Sequence, residues 1–345
     1  MKKILALALT LAMAVTTLTA CGGGNSSSGT ASSGGAASSG EEAVQYTLKM
    51  HMSIGQTDPA YTAAEKFASM VNEGTDGNLT VEIYPSSSLG NTADCLEGLS
   101  MRACDIVFDS IGNLASMTEL ANVEAMPYMY SGIDHWRAVW EGEIGETIKE
   151  AVGEDCGMVL MGSGLQGMRV MTTTKPVRSL DDLKGLKLRV PTISIYMDTW
   201  EWLGATPTPM GGSEIFSAME QGTVEGQENG YPSSASASFH EVSDYVTETN
   251  HVYNCLTFIM NAEFFNSLPE SYQATIREAA KEAGILCTDL IIEQTEEKKQ
   301  VFVDAGCEII EIDLDEWQAA LDGFLEEKYP DLVPYAEMIA EADPA

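Results

Sequence analysis

Between residues 46 and 108 the hydrophobic pattern changes period repeatedly. Alternation of apolar and polar residues predicts short strands, and apolar residues recurring every three or four positions predict helices. Strands that alternate with helices are typical of a mostly parallel sheet covered by helices. The predicted strands are Tyr46–Met50, Leu79–Tyr84 and Cys104–Phe108, and the predicted helices are Asp58–Asn72 and Asn91–Met101.

A sheet of this kind binds its ligand beyond the carboxyl ends of its strands. In this chain those ends are Met50–Gly55, Pro85–Asn91 and Phe108–Gly112. Asp109 directly follows a predicted strand, which makes it a candidate ligand contact. The spacing fits equally well a role as N-cap of the segment that follows.

The middle of the chain has the same mixture of periods. Ser213 is a suitable N-cap for the predicted helix Glu214–Gln221. In the predicted strand Leu186–Val190, Lys187 and Arg189 fall on one face. Two cations on one face of a strand are an ordinary solvent-facing pattern unless that face lines a cleft. The predicted elements are strands at Met158–Met161, Leu186–Val190 and Thr223–Val224, helices at Ser194–Leu203 and Glu214–Gln221, and a loop at Gly226–Asn229.

A long helix dominates the last third of the chain. Ser267–Glu270 has the sequence of a capping box with Pro269 in the first turn. Apolar residues then recur as far as Val301, and the helix is expected to end near Asp304, which gives a length on the order of 50 Å. Because that exceeds one small lobe, we expect the helix to bridge two lobes. Asp315–Tyr335 is predicted to supply further helix.

The N-terminus has the composition of an export signal. Two lysines precede an apolar run, Ile4–Leu18, that is shorter than the roughly 20 residues needed to cross a bilayer. The run leads into Leu18-Thr19-Ala20-Cys21, which looks like a bacterial lipobox, so Cys21 is expected to carry a lipid; an ordinary signal with a chance cysteine is the alternative. Residues 22–42, mostly Gly, Ser and Ala, predict a flexible tether.

Composition weighs against several classes of function. The formal net charge is −34, whereas a nucleic-acid-binding face must be basic. None of the four histidines lies in an H-E-x-x-H motif and no G-x-S-x-G motif occurs, so an enzyme is not favoured. An adhesive or structural lipoprotein would show repeats, and we find none. The six cysteines after Cys21 have no zinc-ligand spacing; export would permit disulfides, but buried free thiols are the preferred interpretation. No cofactor or metal is predicted.

Gly162–Gly167 formally matches the G-x-G-x-x-G motif after an apolar strand. A dinucleotide-binding motif must open a helix, but here the chain continues through the β-like run Arg169–Thr174 to Pro176. We therefore reject a nucleotide site and interpret the glycines as a crossing between two lobes.

Arg169 and Arg189 are candidate ligand contacts. The chain has six arginines, and these two lie in short β-like runs. A guanidinium group can bind a carboxylate through two parallel hydrogen bonds, so the pair suggests a carboxylate site, to which the amide of Asn229 could contribute. Surface charges paired with nearby acids are the alternative.

Four short motifs of this region, in their order and spacing, carry a resemblance to a known family. They are Gly185–Pro191, Gly204–Met210, Ser213-Glu214 and Val224–Asn229. They resemble the extracytoplasmic solute-binding subunit of tripartite ATP-independent periplasmic (TRAP) transporters, and the likeness extends from about Tyr46 to the C-terminal region. The resemblance implies a two-lobed α/β fold like that of periplasmic binding proteins, with a mixed sheet in each lobe and a long helix bridging them. Lobe I is expected to span residues 43–166 and about 255–294, and lobe II residues 167–254 and about 295–345.

The resemblance also implies roles for particular residues. Arg189 would be the principal partner of a ligand carboxylate, Arg169 a second cationic contact, and Asn229 would orient the acid or a neighbouring hydroxyl. Asp109 would face the ligand, with Asn91 as a weaker candidate from the same lobe.

The ligand and the partners follow from the resemblance only as classes. Family members bind organic acids, including C4-dicarboxylates, sialic acids and sugar acids, and deliver them to a membrane permease. The chain departs from many relatives at Gly212, where they carry a bulky residue, and at Gly230, where they carry proline. The ligand of any one relative is therefore not assigned to this chain. A hydroxylated monocarboxylate such as a uronate is favoured, because Asp109 and Asn229 could serve hydroxyls. The cleft is expected to close on it by hinge motion, in a protein anchored by lipid outside the cytoplasm.

Overall fold

Two half-sheets share one long strand in the computed structural model, which describes residues 45–344. The predictions on Met1–Cys21 and on residues 22–42 lie outside the described residues. The strands are β1 (Tyr46–His51), β2 (Leu79–Tyr84), β3 (Ile106–Ser110), β4 (Met158–Thr173), β5 (Lys187–Val190), β6 (Thr206–Pro209), β7 (Gly226–Gly230), β8 (Tyr245–Thr247), β9 (Tyr253–Asn261) and β10 (Glu308–Ile310).

Helices connect and cover these strands. The α-helices are α1 (Pro59–Gly74), α2 (Thr92–Gly98), α3 (Ile133–Trp140), α4 (Glu143–Cys156), α5 (Ser194–Trp202), α6 (Ile215–Glu220), α7 (Tyr231–Ser236), α8 (Ala262–Ser267), α9 (Glu270–Ala305), α10 (Leu314–Ala319), α11 (Phe324–Lys328) and α12 (Val333–Ala340). Short 3₁₀ turns lie at Leu99–Met101, Ile111–Leu114, Glu119–Ala125, Leu180–Leu183, Gly212–Glu214, Phe239–Glu241 and Pro330–Leu332.

Strand β4 belongs to both half-sheets. The first has the order β2-β1-β3-β9-β4, and the second has the order β4-β7-β5-β6, with β8 also beside β4 and β10 beside β8. β4 pairs with β9 from Met158 to Met168 and with β7 from Arg169 to Thr173. Strands β1, β2 and β3 are parallel, as the alternation of strands and helices predicts, but β4 and β9 run antiparallel to their neighbours. The sheet as a whole is therefore mixed rather than mostly parallel.

The glycine-rich stretch of β4 allows the strand to approach α9 closely. Gly162 has a φ of +66°, and a Cβ atom there would lie 2.2 Å from the carbonyl oxygen of Ala280. On the helix, a Cβ atom at Gly284 would lie 2.5 Å from the carbonyl oxygen of Ser163. Only glycine fits at such contacts, so packing explains the residues that formally match a nucleotide-binding motif.

Helix α9 ends within one residue of its predicted end and is on the order of 54 Å long. It packs on α1 and β4 and also on α7, which follows the second half-sheet's strand β7. The predicted capping box is wrong: the N-cap, Pro269, has no side-chain cap, and Ser267 instead ends α8, where its hydroxyl donates to the carbonyl oxygen of Phe264 at 2.6 Å. The sequence analysis does not predict α8, and because Ser267 is the last residue of that helix, it lies two residues before the N-cap position of α9.

Two predictions near the cleft are also wrong. Ser213 lies inside the 3₁₀ turn Gly212–Glu214 and makes no cap bond to α6. Residues 226–230 form the strand β7, not a loop after a strand at residues 223–224. The hydrophobic pattern misses this strand because its central residues, Gln227 and Glu228, are polar and yet fully buried.

Strand β3 begins two residues later than predicted and ends at Ser110. Asp109 therefore lies within the strand, and the side chain of Ser110 caps the turn that follows by accepting from the amide of Gly112. The alternative interpretation of Asp109 as that N-cap is thus excluded.

The cysteines of residues 45–344 are all unpaired; five are buried and Cys156 is half-buried. In the same part of the chain, each helix is too short or too polar to span a lipid bilayer.

Candidate functional site

A cavity of about 460 Å³ is lined by residues from both half-sheets. The structure brings all the sequence-predicted contact residues to this one cavity. Those on the side of the first half-sheet are Asn91 and Asp109, and those on the side of the second are Arg169, Arg189, Gly212 and Asn229.

Arg189 is a buried cation without an acidic partner. It is 5% exposed, and its Nε and Nη2 both donate to the carbonyl oxygen of Met210, at 3.0 and 2.6 Å. No carboxylate of residues 45–344 forms an ion pair with it. Burial lowers the pKa of Arg189 to about 10, against the opposite effect of Glu228, so the side chain is still charged at neutral pH. A buried charge of this kind is costly until an anion pairs with it.

Strand β5 explains why Arg189 and Lys187 differ although they lie on one face. Lys187 begins the strand and is exposed, whereas Arg189 is two residues further in, where the segment after β6 covers it. The two side chains therefore lie on the same face of β5, but that face is exposed to solvent at Lys187 and lines the cavity at Arg189.

Arg169, in contrast, is fully engaged by the protein. Its Nε donates to Glu228 Oε2, and its Nη2 donates to Oε1 of Glu228 at 2.9 Å and to the carbonyl oxygen of Glu228 at 2.6 Å. Its Nη1 donates to the Oδ1 atoms of Asn229, at 3.2 Å, and of Asn254. These bonds use all five N–H groups of the guanidinium. The charge of Arg169 is therefore balanced by Glu228, and its donors point to protein atoms.

Glu228 sits at the centre of a buried network. Burial alone would raise the pKa of Glu228, but the charge of Arg169 and the hydrogen bond from His251 lower it. His251 Nε2 lies 3.0 Å from Glu228 Oε2, and its Nδ1 lies 2.9 Å from the hydroxyl of Thr249. Burial lowers the pKa of His251. The buried charges of Glu228 and Arg169 are therefore balanced mainly by each other.

Asn229 is held in one orientation at the end of β7. Its Oδ1 accepts from Arg169 and from the amide of Gly230 at 3.0 Å. Its Nδ2 makes no hydrogen bond within residues 45–344, so this group is left as a donor for a ligand.

The opposite wall of the cavity carries oxygen acceptors and hydroxyls. Asp109 is buried and accepts from the amide of Ser110 at 2.8 Å, from the hydroxyl of Thr92 at 2.9 Å and from Nδ2 of Asn113 at 3.2 Å. Behind it, His51 Nε2 lies 3.1 Å from the Thr92 hydroxyl, and burial lowers the pKa of His51 against the opposite effect of Asp109. This wall is suited to hydroxyl groups rather than to a second anion.

Asn91 and Gly212 contribute less. The Asn91 side chain caps α2, accepting from the amide of Asp94 and donating to its carboxylate, both at 2.8 Å. A Cβ atom at Gly212 would meet nothing within 4 Å. That end of the cavity is accordingly open, as the absence of a side chain predicts.

The sequence predictions miss several residues of the site, among them Tyr196, Glu228 and Asn254. Tyr196 and Asn254 line the cavity, and Glu228 pairs with Arg169. A glutamate in the polar run Gly226–Asn229 is the only sequence signal, and it becomes meaningful only once that run is known to be a buried strand. Tyr196 and Asn254 carry no local signal.

A larger surface cleft, of about 740 Å³, lies between α4 and α9. Several glutamates line it, and its buried Lys149 already donates to Glu146 at 2.6 Å and to Ser163 at 2.8 Å. Arg277 and Lys281 also line it, but both are exposed to solvent. Because Arg189 is a buried cation without an acidic partner, we place the ligand site in the smaller cavity.

The chain is similar to proteins that bind solutes. Residues 50–330 match the sequence profile of the bacterial extracellular solute-binding proteins, family 7. A solute-binding protein of Roseobacter denitrificans is 33% identical over 280 residues, which cover 81% of this chain and 85% of the relative. The sialic acid-binding periplasmic protein SiaP of Vibrio cholerae is 27% identical over 281 residues, covering 81% of this chain and 88% of SiaP.

Solved structures give the same picture. A TRAP periplasmic solute binding protein from Roseobacter denitrificans with bound L-galactonate has a TM-score of 0.81 at 32% identity and covers 86% of this chain and 99% of its own. A TRAP periplasmic solute binding protein from Xanthobacter autotrophicus with bound β-D-galacturonate has a TM-score of 0.82 at 26% identity, covering 86% of this chain and 100% of its own.

Proposed function

The chain belongs to family 7 of the bacterial extracellular solute-binding proteins, the family of the TRAP solute-binding proteins, and we propose that it captures an organic acid in the cavity between its half-sheets. As a member of this family it acts outside the cytoplasm. We further propose that it delivers the acid to a membrane permease and catalyses no reaction on it.

The observation that carries the proposal is the unpaired charge of Arg189. A carboxylate placed there would gain charge-assisted hydrogen bonds and would supply the buried guanidinium with the counter-ion that it lacks. Arg169 is neutralised by Glu228, so its part is to hold Asn229 and Asn254 in place and to add a weaker cationic field.

The class of acid follows from the opposite wall. Asp109 would repel a second carboxylate nearby, whereas it would accept hydrogen bonds from hydroxyl groups. A hydroxylated monocarboxylate, such as a sugar acid, therefore fits the cavity better than a C4-dicarboxylate. L-galactonate and β-D-galacturonate in the two similar structures support this choice. A sialic-acid-type ligand is the second candidate, favoured by the similarity to SiaP and by the open end at Gly212.

Binding is proposed to close the cleft. Lobe I would be residues 43–166 with about 255–294, and lobe II residues 167–254 with about 295–345. The boundary near residue 167 coincides with the change of pairing partner along β4. Closure would remove water from the pair of Arg189 and carboxylate, which strengthens it because the local dielectric constant falls.

A thermal-shift series on the mature protein tests this function. We expect D-glucuronate, D-galacturonate and L-galactonate to raise the melting temperature, since a ligand at 100 times its dissociation constant adds about 2.7 kcal/mol. Succinate is expected to raise it less. Neutral D-glucose and D-galactose are the matched controls, and a shift by a neutral sugar as large as that by its acid would contradict a carboxylate site.

We also propose that a lipid on Cys21 anchors the protein to the membrane. The proposal rests on the lipobox-like sequence before Cys21 and on the Gly/Ser-rich residues 22–42. Cys21→Ser is expected to move the protein from the detergent phase to the aqueous phase in a partitioning assay. If the variant stays in the detergent phase to the same extent as the wild type, Cys21 is not the anchor.

A further inference from the structure

Tyr196 has a buried hydroxyl group with no partner. The residue is 2% exposed and lines the cavity, and its hydroxyl makes no hydrogen bond within residues 45–344. Buried polar groups are almost always hydrogen-bonded, and one without a partner in a native protein calls for an explanation. Thr199 and Trp200 have similar unpartnered atoms on the same helix, but they do not line the cavity.

The charged groups around Tyr196 are hydrogen-bonded to other protein groups, and none of them is a partner of its hydroxyl. The Arg169 guanidinium lies over the Tyr196 ring, 4.9 Å from its centroid. The nearby carboxylate of Glu124 accepts from Ser110, Asn254 and the amide of Cys255, and Glu228 is held by Arg169 and His251. Burial raises the pKa of Tyr196 well above its ordinary value, so the hydroxyl stays protonated and can donate.

Tyr196 and Arg189 come from one continuous segment. Arg189 is in β5, and α5, which carries Tyr196, begins at Ser194. Both side chains therefore keep their relative position if the two halves of the molecule move. The Nη1 group of Arg189 makes no hydrogen bond within residues 45–344. Each of these two cavity-lining side chains therefore has a donor without a protein partner.

We propose that the Tyr196 hydroxyl donates a hydrogen bond to the ligand carboxylate that Arg189 holds, and that Tyr196 is thereby a ligand-binding residue. This inference builds on the proposed function and adds a neutral donor to the anion end of the cavity. A carboxylate has two oxygens with about four acceptor positions, so it can serve both Arg189 and Tyr196. Removing the hydroxyl should then reduce affinity without harming the free protein.

Tyr196→Phe removes only the hydroxyl oxygen and keeps the ring under Arg169. We expect its affinity for the acid to fall at least about tenfold, as for the loss of a hydrogen bond to a charged group. Without ligand, its melting temperature should equal or exceed that of the wild type, because a partnerless buried hydroxyl has been removed. Calorimetric titration with D-glucuronate, D-galacturonate and L-galactonate, and thermal melts of the free proteins, measure both quantities.

Tyr130→Phe is the matched control. Tyr130 is also buried, but it lies outside the cavity and its hydroxyl accepts from Trp140 Nε1 at 2.7 Å. This variant should melt at a lower temperature and bind the acid as the wild type does. The opposite signs in the two variants separate a binding role from a structural one.

Two results would overturn this inference while leaving the proposed function intact. One is wild-type affinity in Tyr196→Phe; the other is a loss of affinity in that variant accompanied by a drop in melting temperature as large as that of Tyr130→Phe. If the wild-type protein binds none of the three acids, the proposed function fails and this inference fails with it.

Discussion

Arg189→Lys is expected to weaken binding of the cognate acid by at least about tenfold, because hydrogen bonds to charged groups contribute roughly 1.5–3 kcal/mol. Lysine keeps the charge but loses the planar fork that can hold a carboxylate and a backbone carbonyl at once. In the wild-type protein, Nε and Nη2 of Arg189 are tied to the carbonyl oxygen of Met210, which leaves Nη1 for the ligand. One ammonium group cannot reproduce both contacts in the same geometry.

Arg189→Ala should cost more than Arg189→Lys, since a desolvated carboxylate would then lack its cation. Arg178→Lys is the matched control: Arg178 is exposed and pairs with Glu308 at 2.7 Å, away from the cavity, so its replacement should leave affinity unchanged. Calorimetry measures affinity, and circular dichroism confirms that each variant is folded. Wild-type affinity in Arg189→Lys would rule out a contact in which the guanidinium group holds the carboxylate and the Met210 carbonyl oxygen at once.

The contrast between Arg169 and Arg189 shows what the sequence predicts and what it does not. Both arginines are recognisable as candidates from their short β-like runs. Which of them is free is decided by Glu228, which is 59 residues from Arg169 in the chain and faces it only because β4 and β7 pair. Local pattern contains no information about that pairing, since β7 is built from glycine and polar residues.

The elements predicted best have strong local signals. The strands β1 and β2 and the helices α1 and α9 have regular apolar spacing, and their observed bounds lie within a few residues of the predicted ones. Strand β7 fails for a physical reason: its burial is made possible by hydrogen bonds, such as that from Gln227 Nε2 to the hydroxyl of Thr172 at 2.8 Å. Hydropathy cannot register burial of that kind.

Glu228→Gln is expected to lower the free energy of unfolding by about 3–5 kcal/mol, the range found when one partner of a buried ion pair is removed. Glu228 and Arg169 are both buried, so the variant would leave a guanidinium in the interior without its counter-ion. Arg189 is also positively charged and acts on Arg169 from the same cavity, which adds to the cost. Urea denaturation at neutral pH measures the change.

The effect should depend on pH in a defined direction. Although burial opposes it, the charge of Arg169 lowers the pKa of Glu228 below its ordinary value of 4.5. A carboxyl group whose pKa is lowered by folding stabilises the protein fully above its unfolded-state pKa and loses that contribution as the pH falls through the folded-state pKa. The difference between wild type and Glu228→Gln should therefore be complete at pH 7 and shrink below about pH 4.5.

Two further variants identify the cause of the loss. Glu225 lies three residues before Glu228 and forms an ion pair with the exposed Lys175. Glu225→Gln breaks that pair and should cost less than about 1 kcal/mol. The double replacement Arg169→Met with Glu228→Met removes both buried charges, and should recover much of the stability lost in Glu228→Gln because apolar side chains of similar volume need no compensation. Recovery will be partial, since Asn229 and Asn254 lose their donor. If Glu228→Gln costs no more than Glu225→Gln, Arg169 is not balanced by Glu228, and the positive charge of the cavity cannot be assigned to Arg189 alone.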